Sequence, residues 1–289
     1  MEQPDTYQLC AFADEADPKI EEQIRALQEN GISLLELRGI GEKNVADLSE
    51  EEAKTIAARL QNNHISVWSI GSPIGKIKIT DDFQPELERM EHIARLSVIF
   101  GCKHIRVFSF YLPSDATEEQ IETYRYEVFQ RMQQLLQIAK QYHLTLCHEN
   151  EKGIWGDTVA RCLALHQAFP DLRAVYDPAN FAQCRQEPLH AFTELQPYIA
   201  YVHIKDVNAS DEIVVPGNGI CQIPKMLCSY LQHGGQVITL EPHLMEFCGL
   251  AALENGEKSH IANQYDTTRA AFDDAVLHLK QILTHISDH

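Results

Sequence analysis

None of the eight cysteines stands in a CxxC pair. A chain of 289 residues needs no cross-links to hold a core, so the cysteines are read as reduced, mostly buried thiols. The sequence also lacks a GxGxxG after its first strand-like run, which argues against a dinucleotide-binding sheet. It has no apolar run longer than a strand, so no membrane span is expected. The opening MEQPDTYQLC has neither a basic start nor an apolar stretch, so no signal peptide is expected and a cytoplasmic location is. Positive charge is scarce as well. With 24 Lys and Arg against 42 Asp and Glu the formal charge is −18. So acidic a surface repels phosphate backbones, which makes nucleic acid and anionic membranes poor partners. It does not constrain a substrate, because one local pocket can still be basic.

What is present is alternation. Short, continuous apolar runs fall at residues 8–12, 33–38, 65–70, 104–110, 144–149, 173–177, 199–204 and 237–241. Such runs suit strands buried on both faces of a parallel sheet. Amphipathic helical patterns lie between them, clearest at 18–30, 50–63, 86–100, 118–142 and 267–286. Gly31 and Gly101 stand where helices should end, and Asp157 and Thr158 where one should begin. Eight strands in strict alternation with helices predict a (β/α)₈ barrel, a single domain over residues 1–289 with no linker.

Barrel enzymes carry their chemistry where strands end and βα loops begin. The fifth run ends in His148-Glu149-Asn150-Glu151, the sixth in Asp177-Pro178-Ala179-Asn180, the seventh carries His203 and Lys205, and the eighth ends in Glu241-Pro242-His243. Glu149, Asp177, His203 and Glu241 thus recur at about one βα unit each. Each residue alone has a bland reading: Asp177-Pro178 as a helix-entry turn, His203 as a satisfied core histidine. Together, four ionisable groups at matching strand ends are expensive to bury without a metal or mutual partners. Three carboxylates and one imidazole suit one divalent ion, Mn²⁺ first, with Mg²⁺, Co²⁺ or Zn²⁺ as alternatives. Glu36, Arg38, Lys76, Arg106, His148, Asn180 and Lys205 fall at the same rim and are the expected substrate contacts. Trp155 is expected to wall the pocket.

At these residues the sequence resembles the xylose isomerase-like sugar isomerase/epimerase superfamily of TIM barrels. The resemblance runs through HENEKGIWGD (148–157), YDPANF (176–181), YVHIKD (201–206), VPGNGICQIP (215–224) and LEPHL (240–244). It implies that Glu149, Asp177, His203 and Glu241 bind one divalent cation, with Glu149 and Glu241 doubling as acid/base groups. It also implies a sugar or keto-sugar substrate and proton abstraction next to a carbonyl through an enediolate. The chain departs from the pattern at Glu151, where many members have histidine. It departs again at Asn180 and Ala209, where ketose epimerases have histidine and arginine; these positions bear on which sugar is held. Isomerase or epimerase is the first reading. A lyase acting on a keto-sugar, either a dehydratase or the catalytic subunit of a C-glycoside deglycosidase, is the second, with His148, Glu151 or His243 as the acid for the leaving group. A non-catalytic sugar-binding barrel is the rival of another class.

Residues 242–266 show no regular pattern. So long a connection is normally functional, and Leu244, Met245, Phe247, Leu250 and Leu253 have apolar surface to bury. It is expected to fold over the barrel mouth and to make a homo-oligomer or hetero-oligomer contact.

Overall fold

The structure, a computed structural model, describes residues 7–253 and 258–287. Eight parallel strands close into a barrel: β1 (Gln8–Ala11), β2 (Leu34–Leu37), β3 (Ser66–Ile70), β4 (His104–Val107), β5 (Thr145–Glu149), β6 (Arg173–Tyr176), β7 (Ile199–Ile204) and β8 (Val237–Leu240). Neighbours in the chain are neighbours in the ring, and β8 pairs with β1 from Gln8↔Val237 to Ala11↔Leu240. Closure leaves the barrel sheet itself without an edge strand. The outer helices are α1 (Ile20–Glu29), α2 (Glu50–Asn62), α3 (Gln84–Phe100), α4 (Glu118–Gln141), α5 (Val159–Ala168), α6 (Pro188–Leu195), α7 (Ile223–Gln232) and α8 (Thr268–Ser287). No described helix is long and apolar enough to cross a membrane.

Local sequence sets the helix starts. Ser49 and Glu52 form a reciprocal capping box ahead of α2, as Thr117 and Gln120 do ahead of α4, each satisfying two end groups that the helix itself cannot. Thr158 caps α5, whereas Asp157 pairs with Arg161 instead. The large core lies between strands and helices. A small one, built from Cys10, Leu34, Cys147, Val175, Tyr201 and Val237, fills the barrel interior. Residues two or four positions farther along those strands share the same parity and point to the same axis. Glu36, Glu149, Asp177, His203 and Glu241 are such positions.

Two regions differ from the sequence expectation. The fourth run was expected to reach residue 110, but β4 stops at Val107 and the chain turns at Phe110 with φ 68°. From there residues 108–112 pair with the loop after β3: Phe108 N–H donates to Ile74 O at 2.8 Å, Phe110 to Gly75 at 3.0 Å, and Tyr111 to Ile77 at 2.9 Å. Gly75 makes the close approach possible, since a Cβ there would stand 2.1 Å from Phe108 O. On the other side Leu112 N–H donates to Gly153 O and Trp155 N–H to Phe110 O, both at 3.0 Å. Three rim loops thereby become one wall.

The segment after β8 does fold across the rim, and it is more regular than expected. It holds a one-turn helix, Leu250–Leu253, and a bridge from Ile261 to Ile213. Leu244 and Leu250 are buried on this chain's own barrel. Phe247 lies against the Arg38 guanidinium at 4.7 Å, and Leu253 O accepts from Lys76 at 3.1 Å. Residues 254–257 of that segment lie outside the described residues.

Candidate metal centre

The inward parity of β5, β7 and β8, with the turn after β6, brings Glu149, Asp177, His203 and Glu241 together. One ligand atom from each lies within 4.8 Å of all the others, and all four residues are buried. His203 Nδ1 is 3.1 Å from both Glu149 Oε1 and Glu241 Oε2. Asp177 divides its carboxylate. Oδ1 accepts from Asn180 N–H at 3.0 Å and caps the short helix Pro178–Gln183, while Oδ2 faces the cluster. The bland helix-entry reading and the ligand reading thus apply to different atoms of one residue.

The donor set fits a divalent cation. Glu149 Oε2, Asp177 Oδ2 and Glu241 Oε2 are buried and accept no hydrogen bond. Each stands in an ion-pair contact, within 3.2 Å of a cationic or histidine nitrogen. Orphaned buried carboxylate oxygens are costly unless something else meets them. Charge agrees. Asp14, Glu15, Glu36, Glu149, Asp177 and Glu241 are six buried carboxylates around this centre. Arg38, Arg106 and Lys205 are three buried cations, which leaves three negative charges. A divalent ion beside a neutral His203 would reduce that excess to one. Burial pushes Glu15 up to about 8 against the pull of Arg38. Without an ion, the cluster satisfies itself through His203. Burial lowers its affinity for a proton, but the carboxylates of Glu149, Glu36 and Glu241 outweigh burial and raise it well above the usual range. The converse holds for Glu241: burial raises it, yet His203 holds it well below an ordinary carboxyl.

A cavity of about 940 Å³ opens onto this cluster, with Glu149 and Glu241 in its floor. Of the expected substrate contacts, Lys76, Arg106, Asn180 and Lys205 line it. Arg106 Nη1 lies 3.2 Å from Glu149 and 3.5 Å from Glu241. Lys205 Nζ is 2.9 Å from Asp177 and donates to Asn180 Oδ1 at 2.8 Å. Lys76 pairs with Glu151 at 2.6 Å.

Glu36, Arg38 and His148 are placed elsewhere. Glu36 stands behind the histidine ring, its Oε2 3.1 Å from His203 Nε2, and Tyr201 O–H donates to its Oε1 at 2.8 Å. Arg38 is spent on Asp14, Glu15 and Glu241 at 2.8–3.1 Å. His148 bonds Ser109 at 3.0 Å, and burial pulls it down to about 3. Trp155 is also off the cavity, packed against Phe129 at 5.5 Å. Sequence reasoning missed Asp14, Glu15 and Tyr201. The first two follow β1 at the same rim, so the strand-end rule that found the four ligand candidates reaches them too.

The family model of the xylose isomerase-like TIM barrel matches residues 24–259. The chain belongs to that family. Its curated relative 3-dehydroshikimate dehydratase, from Bacillus anthracis, is 23% identical over 211 residues, 72% of this chain and 71% of the relative. Among solved structures, an L-ribulose 3-epimerase superposes with a TM-score of 0.74 at 16% identity, covering 98% of this chain and 96% of that one. A xylose isomerase-like TIM barrel protein from Mycobacterium smegmatis in complex with magnesium superposes at 0.67 and 14% identity, covering 99% and 100%. At such identities the two structures speak for the fold, while reaction is a matter of the site.

Proposed function

We propose that the protein is a divalent-metal-dependent sugar isomerase or epimerase that moves a proton at the carbon next to a carbonyl. The observation that carries this reading is the pair Glu149 and Glu241. The two carboxylates come from strands separated by two others, both line the cavity, and each keeps one oxygen without a hydrogen bond. Epimerisation wants two bases that address different faces of one carbon. Glu149, Asp177, His203 and Glu241 would hold the ion, Mn²⁺ first among the candidates for so oxygen-rich a set. When bound, the ion supplies a Lewis acid for the negative charge that develops on the carbonyl oxygen. Arg106 adds positive charge beside both glutamates, and Lys205 and Asn180 offer donors for hydroxyls on the same floor. One glutamate takes the carbon-bound proton, and the other returns one to the opposite face.

A lyase is the second reading, favoured by the match to a dehydratase. It uses the same first step and then needs an acid for the leaving group. Glu151 and His243 line the cavity and can reach a substrate there, whereas His148 is not among the lining residues.

The test is proton exchange. Metal-loaded protein in D₂O, offered ketoses and keto acids, should place deuterium at one substrate carbon by NMR. Glu149→Gln and Glu241→Gln should abolish the exchange with the fold intact. Full exchange in both variants would remove the pair from the acid/base role. Loss of water with a new alkene signal would move the assignment to the lyase.

A further inference from the structure

We infer that Arg38 is a resident cation: its guanidinium occupies a second site for a divalent ion, built from Glu15, Glu241 and His243, and so keeps the centre to one metal. The inference rests on the reading that Glu149, Asp177, His203 and Glu241 hold one ion. It starts from a second ligand cluster beside the first. Glu15, Glu241 and His243 are buried, and one ligand atom from each lies within 4.8 Å of the others. Two carboxylates and an imidazole are a common donor set for a divalent transition ion. His243 Nε2 points into this cluster, 3.4 Å from Glu15 Oε1 and 3.5 Å from Glu241 Oε1. Its side chain is nine-tenths buried, and that nitrogen makes no hydrogen bond. Glu241 serves both clusters, with Oε2 toward His203 and Oε1 toward His243.

The clusters differ in what already meets their oxygens. In the first, Glu149 Oε2, Asp177 Oδ2 and Glu241 Oε2 accept no hydrogen bond. In the second, Glu15 Oε1 and Glu241 Oε1 both accept from Arg38, at 3.1 and 2.8 Å. Arg38 is fixed in that position. Its Nε and Nη2 donate to the two oxygens of Asp14 at 2.8 and 3.0 Å. The ring centroids of Phe12 and Phe247 lie 4.3 and 4.7 Å from its guanidinium carbon. It does not line the cavity. A guanidinium keeps its charge at any pH a folded protein meets. A divalent ion entering between the same oxygens would face that charge at close range, where like charges in a buried site repel strongly. Arg38 thus supplies one permanent positive charge where an ion would supply two. It also holds one oxygen of Glu241 so that the other faces the first cluster. Removing it raises the buried excess of negative charge from three to four, which is the charge of two divalent ions.

The experiment counts Mn²⁺ per chain in wild type and Arg38→Met, by elemental analysis after desalting and by calorimetric titration. The wild type should hold one ion and Arg38→Met two. Methionine keeps apolar bulk beside Phe12 and Phe247 while the charge goes. If Arg38→Met does not fold, Arg38→Met with Asp14→Asn removes one charge of each sign, leaves the three ligands in place and should also take two. Adding His243→Ala should remove the second ion and spare the first. One ion in the folded Arg38 variants, two in the wild type, or a second ion indifferent to His243→Ala overturns the inference. Each of those results leaves the first cluster standing as a metal site. The first cluster fails on a different result, a wild type that binds no Mn²⁺, and this inference then falls with it.

Discussion

Glu36 and His203 form a buried pair across the barrel axis, with Glu36 Oε2 3.1 Å from His203 Nε2 and neither residue exposed. A hydrogen bond at one imidazole nitrogen fixes which nitrogen is free for a ligand. With the proton on Nε2, held by Glu36, the Nδ1 lone pair faces Glu149 and Glu241. Tyr201 O–H in turn holds Glu36, and Ser69 Oγ lies 3.0 Å from that hydroxyl. Glu36→Gln keeps the shape and removes the charge, so Mn²⁺ affinity should fall about 10–100-fold. Tyr201→Phe should cost less. Calorimetric titration with Mn²⁺ checks both, and an unchanged dissociation constant for Glu36→Gln would show that the pair is only packing.

The ligand set itself is tested through stability. A metal that binds only the folded state adds about 2.7 kcal/mol at a hundredfold excess over its dissociation constant. Mn²⁺ should therefore raise the melting temperature of the wild type, and chelation should reverse the rise. His203→Ala should lose that response. Equal Mn²⁺ stabilisation of His203→Ala and wild type would disprove the set.

Acid should weaken the fold through His166, which does not line the cavity. It is buried, its Nδ1 lies 3.1 Å from Leu172 O, and its ring stacks on Tyr198 at 5.2 Å. Burial pulls it from 6.5 to about 4. The unfolded chain thus binds a proton in a range where the folded one does not. Its contribution is fully present above pH 6.5 and is lost as pH falls toward about 4, by roughly 2–3 kcal/mol. His166→Phe can still stack on Tyr198 and does not titrate. Its denaturation midpoint should fall less than the wild type's across that window, and parallel curves would rule His166 out.

Gly75 and Gly41 separate two costs of a side chain at positive φ. Both are left-handed, at φ 88° and 64°. A Cβ at Gly41 meets nothing within 4 Å, while one at Gly75 meets backbone at 2.1 Å. Gly41→Ala should cost about 1–2 kcal/mol from conformation alone. Gly75→Ala should cost at least about 3 kcal/mol, because a rim loop must move as well. Urea midpoints measure the difference, and equal losses would mean that the loop yields freely.

The barrel was legible because strands buried on both faces leave continuous apolar runs, and closure follows from counting eight of them. The cluster of Glu149, Asp177, His203 and Glu241 was visible as an ionisable group recurring at each strand end. Depth was not visible. Glu36 has the same parity and nearly the same place in its strand as the four, and nothing in the one-dimensional pattern says that it lies behind an imidazole instead of beside a substrate. Arg38 was misplaced for a related reason: its partners Asp14 and Glu15 are distant in sequence and meet it only once β1 lies beside β2. The early end of β4 was hidden because Phe108 and Phe110 read as strand, although the loop after β3 takes up their hydrogen bonds.

That wall of joined loops couples recognition to shape. The bonds linking residues 74–79, 108–112 and 153–155 run through main-chain atoms. Two side chains that reach the cavity from it also brace it: Lys76 pairs with Glu151 and donates to Leu253 O, and Phe108 is buried with Tyr111 and Ile154. An exchange at either position therefore changes the surface a substrate meets and loosens what stands behind it. Selectivity at this mouth is bound up with the rigidity of its rim, and neither can be altered there without touching the other.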